Sequence, residues 1–433
     1  MKILHLADLH IGKAVHGFSM IGDQEYIFAQ ILDYIRERRP DAVVIAGDVY
    51  DRSAPSPDAV RTFDRFLTSL AASGQAVAVI SGNHDSPERL SFASGIMRES
   101  NVHMYGVFDG RMRVVSLRDA YGEARIHLLP YVRPSEVRRF AEAYRTDAQG
   151  AGRPQGNGSA DGNAGEAGEP QNNGGVNGNA GEAGRPQNNG GAEISTYQDA
   201  VAAVIGAAGI DASVRNILVA HQYFAAEGSD PERSESERET VGGTDRIDIA
   251  ACGAAGLFDY VALGHLHGPQ RIGSERVRYA GSPLKYSFSE CYHNKCALLV
   301  ELRGKGDLTV EALPLRPLRD MRRIRGPLAA LLGEDVKASG DCEDYLHVTL
   351  TDEDEVFDAR GKLRAAYPNV MQLDFDNART NAGYDVSVDE EIRQSTPASQ
   401  FEEFYLKQNG TEMNAEQRKA VADFLNLDAD GEQ

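Results

Sequence analysis

Five short stretches carry residues that could do chemistry together: Asp8-Leu-His10, Gly47-Asp48-Val-Tyr-Asp51, Gly82-Asn83-His84-Asp85, Val-Ala-His221 and Gly264-His265-Leu-His267. Each follows an apolar run of strand type, so each places potential ligands at a strand end. Residues two apart on an extended chain point the same way, which lets Asp8 and His10, or His265 and His267, grip one ion. Two divalent cations about 3.5–4 Å apart can clamp a phosphodiester and activate water for in-line attack. Such a pair needs a bridging carboxylate to reduce repulsion between the cations, and Asp48, directly after Gly47, fits that bridge. Mixed carboxylate, imidazole and amide donors suit Mn²⁺ or Fe²⁺, whereas structural zinc sites favour thiolates. Asn83 offers a neutral amide oxygen. His84 follows it directly, so its ring is placed to serve as a general acid on the substrate side. The plainer alternative is a further metal ligand or a structural histidine. The glycines of Gly47-Asp48, Gly82-Asn83 and Gly264-His265 are expected to let the backbone turn sharply where a strand ends.

The elements that must position these residues alternate in type. Strands are expected at 2–8, 42–47 and 76–81, with helices near 24–38, 57–72 and 88–99 between and after them. Short strands follow near 103–107, 112–116 and 125–131. After an interruption come a helix near 196–207, strands at 216–221 and 259–264, and two hairpin-like strands at 276–280 and 296–302. Such alternation means sheets flanked by helices, which bind ligands just outside the carboxyl ends of their strands. His5, His16, His103, His127, His293 and His347 lack a partner motif and read as ordinary histidines.

The interruption, 147–193, is glycine- and asparagine-rich. The stretch 162–175 recurs as 178–191 with Arg185 in place of Glu169. Without large apolar side chains it cannot offset its ordering entropy, so a disordered surface insertion is expected. Near Leu313 the character changes. Arg316, Arg319, Arg322, Arg323 and Arg325 crowd one stretch, read as a solvated hinge, with contact to DNA or a partner as the sharper alternative. A strand at 344–350, a helix near 355–366 and a strand at 369–375 suggest a small α+β domain. Beyond it, Phe401, Phe404 and Tyr405 lie at helical spacing. A last helix from about 415 is expected to start with Asn414 as cap and Gln417 three residues on. These helices could pack on their own domain or dock another chain. The expected domains are therefore 1–312, 313–376 and a linker with helical docking segment at 377–433.

The 433 residues carry 65 acids against 45 Lys and Arg, a net charge of −20. A free-standing nucleic-acid binder would be basic, so action on DNA would require metals and a partner to draw the phosphates. The cysteines, 252, 291, 296 and 342, include no Cys-x-x-Cys pair, which suits reduced thiols and not a disulfide framework or zinc knuckle. With no signal peptide pattern and no apolar run of membrane length, a cytoplasmic chain without membrane attachment is expected.

The ordered set Asp-x-His, Gly-Asp-x-x-Asp, Gly-Asn-His-Asp, His and Gly-His-x-His resembles the calcineurin-like metallophosphoesterases. Within that family, Phe258 to Gln270 and Tyr279 to Glu290 are similar to the SbcD-type nuclease subunits. The resemblance covers about 1–146 and 194–310, and the remainder by layout only. It implies a four-layer α/β/β/α sandwich with a small α+β capping domain at 313–376 and C-terminal helices. It further implies one Mn²⁺ on Asp8, His10, Asp48 and His267, a second on Asp48, Asn83, His221 and His265, and His84 as the catalytic acid. The implied partners are DNA and an SbcC-type ATPase of the structural-maintenance class, two copies of each chain, with the terminal helices on its coiled-coil root. The implied activity is cleavage of duplex ends, hairpins and single strands. A phosphoesterase acting on small phosphodiesters or phosphoproteins is the nearest rival, and a DNA-end tether with a vestigial metal site is the non-enzymatic one.

Overall fold

The computed structural model describes residues 1–148, 194–237, 245–378 and 397–429. Of the insertion expected to be disordered at 147–193, residues 149–193 lie outside the described residues, whereas 147 and 148 end the helix Ala141–Ala148. The chain forms two compact units, Met1–Lys13 with Ser19–Arg316, and Ala14–Phe18 with Pro317–Gln433.

The first unit is built on two six-stranded sheets. One runs in the order Leu308–Pro314, Cys296–Leu302, Lys2–Leu6, Ala42–Ala46, Ala76–Ile80, Val102–Tyr105, its last four strands parallel. The other runs Gln270–Ile272, Ser274–Tyr279, Tyr260–Gly264, Arg215–His221, Gly122–Leu129, Arg113–Asp119, with the four central strands parallel. Alternate residues along each strand face opposite ways. Ile3, Val44, Ala46, Ala78 and Ile80 of the first sheet therefore meet Ile126, Ile217, Val219 and Ala262 of the second in one buried core. The outer face of the second sheet is covered by Tyr197–Ala207, whose Val201, Val204 and Ile205 pack on Leu218, Ala220 and Val261. Helices Ile21–Arg38 and Pro57–Ala72 flank the first sheet, with Phe28 stacked on Phe66 at 4.4 Å. The layers are helix, sheet, sheet, helix. Ser56 accepts from the Ala59 amide at 3.2 Å and Pro57 opens its helix, as the sequence leads one to expect.

Three expectations differ from the fold. The helix near 88–99 is instead two short turns, Pro87–Leu90 and Ser94–Met97, followed by a 3₁₀ turn at Arg98–Ser100. Ser91 accepts from the Gly106 and Val107 amides at 3.1 and 3.2 Å, and Ala93 takes a left-handed conformation, φ 58°, which breaks the run. The strands near 276–280 and 296–302 do not pair with each other. Ser274–Tyr279 joins the second sheet, whereas Cys296–Leu302 crosses to the first between Lys2–Leu6 and Leu308–Pro314. The arginine stretch is no hinge over its second half: Met321–Gly326 is a strand, with Arg322 bound to Asp344 at 2.6 Å and Arg325 paired with Asp376.

That strand belongs to the second unit, where it pairs in parallel with Tyr345–Leu350, which pairs in turn with Val370–Phe375. Leu346, Val348, Leu350, Leu363 and Tyr367 form its core. The terminal helices are Pro397–Asn409 and Ala415–Ala429. Asn414 and Gln417 exchange backbone-to-side-chain hydrogen bonds, both 2.9 Å, closing the expected capping box. Among the described residues no helix is long and apolar enough to cross a membrane.

Candidate metal centre

The carboxyl ends of parallel strands in both sheets of the first unit converge on one cluster. Asp8 and His10 follow Lys2–Leu6, Asp48 follows Ala42–Ala46, and Asn83 and His84 follow Ala76–Ile80. From the second sheet come His221, at the end of its strand, and His265 and His267 beyond Gly264, which is in register with His221. Asp8, His10 and His267 form one trio able to hold an ion; Asp8, Asp48 and His221 form another, and His10, Asp48 and His84 a third. The Asp48 Oδ2 atom stands 3.6 Å from His10 Nε2 and 3.4 Å from His221 Nε2. His10 and His267 face each other Nε2 to Nε2 at 3.0 Å. Asn83 Oδ1 lies 3.0 Å from both His221 Nε2 and His265 Nδ1. All seven candidate ligands thus come together, with Asp48 between the two groups.

The backbone is unusual where it carries them. Asp8, His10, Asp48 and His265 have φ of 53°, 44°, 47° and 107°. Such conformations cost on the order of 1–3 kcal/mol each in a non-glycine residue and cluster where function requires them. The glycines have more than one reason. Gly47 does turn, with φ 84°, but Gly82 and Gly264 do not have positive φ. They are needed for space instead: a Cβ at Gly82 would collide with Asp48 Oδ1, and one at Gly264 with the Ala46 carbonyl.

The electrostatics are those of buried charge awaiting charge. Burial pushes the Asp8 carboxyl up to about 7 against the pull of His221 and His267. Burial acts on Asp48 in the same sense, but the imidazoles of His221, His10 and His84 hold it well below the carboxylate range. Burial would lower His221, yet Asp48 beside it carries it to about 9, while burial takes His265 down to about 3. Asp8 Oδ2 and His10 Nδ1 are buried with no hydrogen-bond partner among the described residues. Orphaned buried polar atoms are costly and rare in native proteins. A buried carboxylate oxygen left without a partner among clustered carboxylates and imidazoles fits a divalent cation.

Other members of the motifs have turned elsewhere. Both oxygens of Asp85 are taken up by the amides of Val49, Tyr50 and Gly82 at 2.9–3.0 Å, which ties the Asp48 loop to the Asn83 loop. Asp51 pairs with Lys13 at 2.7 Å, and its carbonyl lies 2.9 Å from His84 Nδ1. His84 is partly exposed, donates its amide to Asp48 Oδ1 at 2.9 Å and sets its ring edge-on to His10. Sequence reasoning missed Gln24, whose amide nitrogen lies 2.8 Å from the His10 carbonyl, and Glu290, whose Oε1 is 3.1 Å from His267 Nδ1. A signal for Gln24 was present: it is a polar residue on the helix face of Ile27, Ile31 and Ile35.

Residues 1–142 match the calcineurin-like phosphoesterase model, and 317–409 match the SbcD C-terminal model, described as the type 5 capsule protein repressor C-terminal domain. The SbcD chain of the SbcCD nuclease of Staphylococcus epidermidis is 28% identical over 441 residues, covering 100% of both chains. Residues 1–142 are thus of the calcineurin-like phosphoesterase type, and over its whole length the chain is similar to an SbcD nuclease subunit. The phosphoesterase match and the clustered ligands mark it as a metal-binding hydrolase. A structure from Thermus thermophilus covers 73% of this chain and 99% of its own at 14% identity, TM-score 0.38. A dimetal phosphatase from Danio rerio covers 73% and 99% at 11% identity, TM-score 0.34.

Proposed function

We propose that this chain is the Mn²⁺-dependent nuclease subunit of an SbcCD-type complex. It would act as a 3′–5′ double-strand exonuclease and a single-strand and hairpin endonuclease, in cytoplasmic DNA repair, recombination and replication-linked hairpin processing. The observation that supports the reading is Asp48 standing between His10 and His221, with Asp8 and His267 clustered at His10 and with Asn83 and His265 beside His221. Two bound divalent ions would supply the Lewis acidity that holds a phosphodiester and activates water.

The protein's own part is proton transfer and placement. With the Asp51 carbonyl accepting from His84 Nδ1–H, the ring presents Nε2, which when protonated can donate to the departing oxygen. Gln24 braces the His10 loop, and Asp85 braces the Asp48 and Asn83 loops. In a chain of net charge −20, the ions and a partner must offset repulsion of DNA phosphates. The domain reading follows the same line, with 1–312 as the nuclease, 313–376 as a cap over the DNA, and 377–433 as the segment that docks an SbcC-type ATPase, two copies of each.

The test is cleavage of a labelled linear duplex by the purified chain with Mn²⁺, beside bis(p-nitrophenyl) phosphate. Cleavage of both substrates is expected, with His84→Ala slower by about 10²–10⁴-fold while Mn²⁺ binding persists. Undiminished cleavage by His84→Ala refutes the acid role. Failure to cut duplex even after addition of the ATPase partner favours the small-diester phosphoesterase.

A further inference from the structure

His267 differs from the other candidate imidazole ligands in what stands behind it. Its Nε2 faces His10, and its Nδ1 lies 3.1 Å from Glu290 Oε1 and 3.0 Å from Ser236 Oγ. Ser236 donates to the same Glu290 oxygen at 2.7 Å. The other Glu290 oxygen accepts from Lys295 Nζ at 2.6 Å, and both residues are buried. Lys295 also donates to the His267 carbonyl and to Ser282 Oγ, each at 2.8 Å, while the His267 amide donates to Glu237 at 2.5 Å. One buried ion pair therefore holds both the ring and the backbone of this residue.

The remaining imidazoles have weaker support. His221 Nδ1 is hydrogen-bonded to a neutral carbonyl, that of Ala46, at 2.8 Å, with Asp8 Oδ1 farther off at 3.9 Å. His10 Nδ1 has no hydrogen-bond partner among the described residues, with Asp51 Oδ1 at 3.7 Å. A buried ion pair is poor evidence of stabilisation, since desolvation offsets its attraction. Its place directly behind a metal-facing ring gives it another use. A carboxylate accepting the remote N–H of a metal-bound histidine fixes the tautomer and raises ligand basicity, an effect of about 10–100-fold in affinity.

We propose that Glu290, held by Lys295, is a positioning residue that gives the Asp8, His10 and His267 side of the centre the higher metal affinity, so that the two ions enter in order with this side first. The proposal rests on the two-ion reading above. It is tested by titrating the metal-free full-length chain with Mn²⁺, following free Mn²⁺ by electron paramagnetic resonance and the heat of binding by calorimetry.

Two affinity classes are expected in the wild type, the tighter lost in His267→Ala and the weaker in Asn83→Ala. Glu290→Gln should weaken the tighter class by about 10–100-fold and leave the weaker unchanged. Ser236→Ala, which removes one hydrogen bond to Glu290, should weaken the same class by less, and it carries the test if Glu290→Gln does not fold. Loss of the tighter class in Asn83→Ala, or two unchanged classes in the Glu290 and Ser236 variants, overturns the proposal alone. A wild-type chain that binds no Mn²⁺, or a single ion, sinks the two-ion reading and the proposal with it.

Discussion

The two ends of the sandwich in the first unit both bury charge between the sheets, and they treat it differently. At the amino ends of the strands, Arg215 donates to both Asp119 oxygens, at 2.5 and 3.0 Å, and to the carbonyls of Gly122, Leu302 and Arg303. The amino terminus of Met1 adds an ion pair to Asp119 at 2.6 Å. Of that guanidinium only Nε lacks a partner among the described residues. At the carboxyl ends, Asp8, Asp48 and the facing imidazoles leave Asp8 Oδ2 and His10 Nδ1 unpartnered among the described residues. A closed charge network binds the sheets together; an open one, strained at Asp8, His10, Asp48 and His265, is complete only when cations enter.

The sharpest way to break this contrast is at the shared carboxylate. Asp48→Asn should lower phosphodiester cleavage by about a thousandfold or more, the equivalent of several kcal/mol of transition-state stabilisation. Comparable kcat in the variant would mean that Asp48 does not bridge. Next in size is Gly264→Ala, where the new methyl would collide with the Ala46 carbonyl and push the sheets apart. A loss of about 3 kcal/mol is expected in urea denaturation, together with weaker Mn²⁺ binding. An unchanged midpoint would show that the approach is not tight.

The closed end should respond to acid and not to metal. Arg215 and the amino terminus hold the Asp119 carboxyl well below its ordinary range. Because its folded-state pKa is depressed, its contribution is present above the unfolded value of about 4 and is lost as pH falls through the folded one. Asp119→Asn should therefore cost about 1–3 kcal/mol at neutral pH. It should also flatten the fall in melting temperature below about pH 4, with Mn²⁺ affinity unchanged. A variant that instead loses metal binding would couple the two ends and remove the distinction drawn here.

Much of the centre was legible because its signals are local. A ligand at a strand end, spaced by two from the next and preceded by glycine, needs only the extended chain to be interpreted. So Asp8, His10, Asp48, Asn83, His221, His265 and His267 could be grouped without knowing which strands pair. The Ser56-Pro57 and Asn414-Gln417 helix starts were readable for the same reason, since a cap and its partner lie within one turn. Reading failed where distant chain decided. A helix is expected near 88–99, but Ser91 is claimed by Gly106 and Val107. The arginine stretch reads as a solvated segment until Asp344 supplies a counter-charge for Arg322 across neighbouring strands.

By itself, then, the sequence picked out the candidate cation ligands, the strand ends that carry them and the Ser56 and Asn414 helix starts, because those depend on spacing along a few residues. Only the tertiary structure decided that Asp48 stands between His10 and His221, that Gly82 and Gly264 are required for space, and that Glu290 and Lys295 stand behind His267. Each of these is a distance between segments that are far apart in the chain. Such distances follow from the packing of two sheets across a shared core and from no local preference of the residues involved.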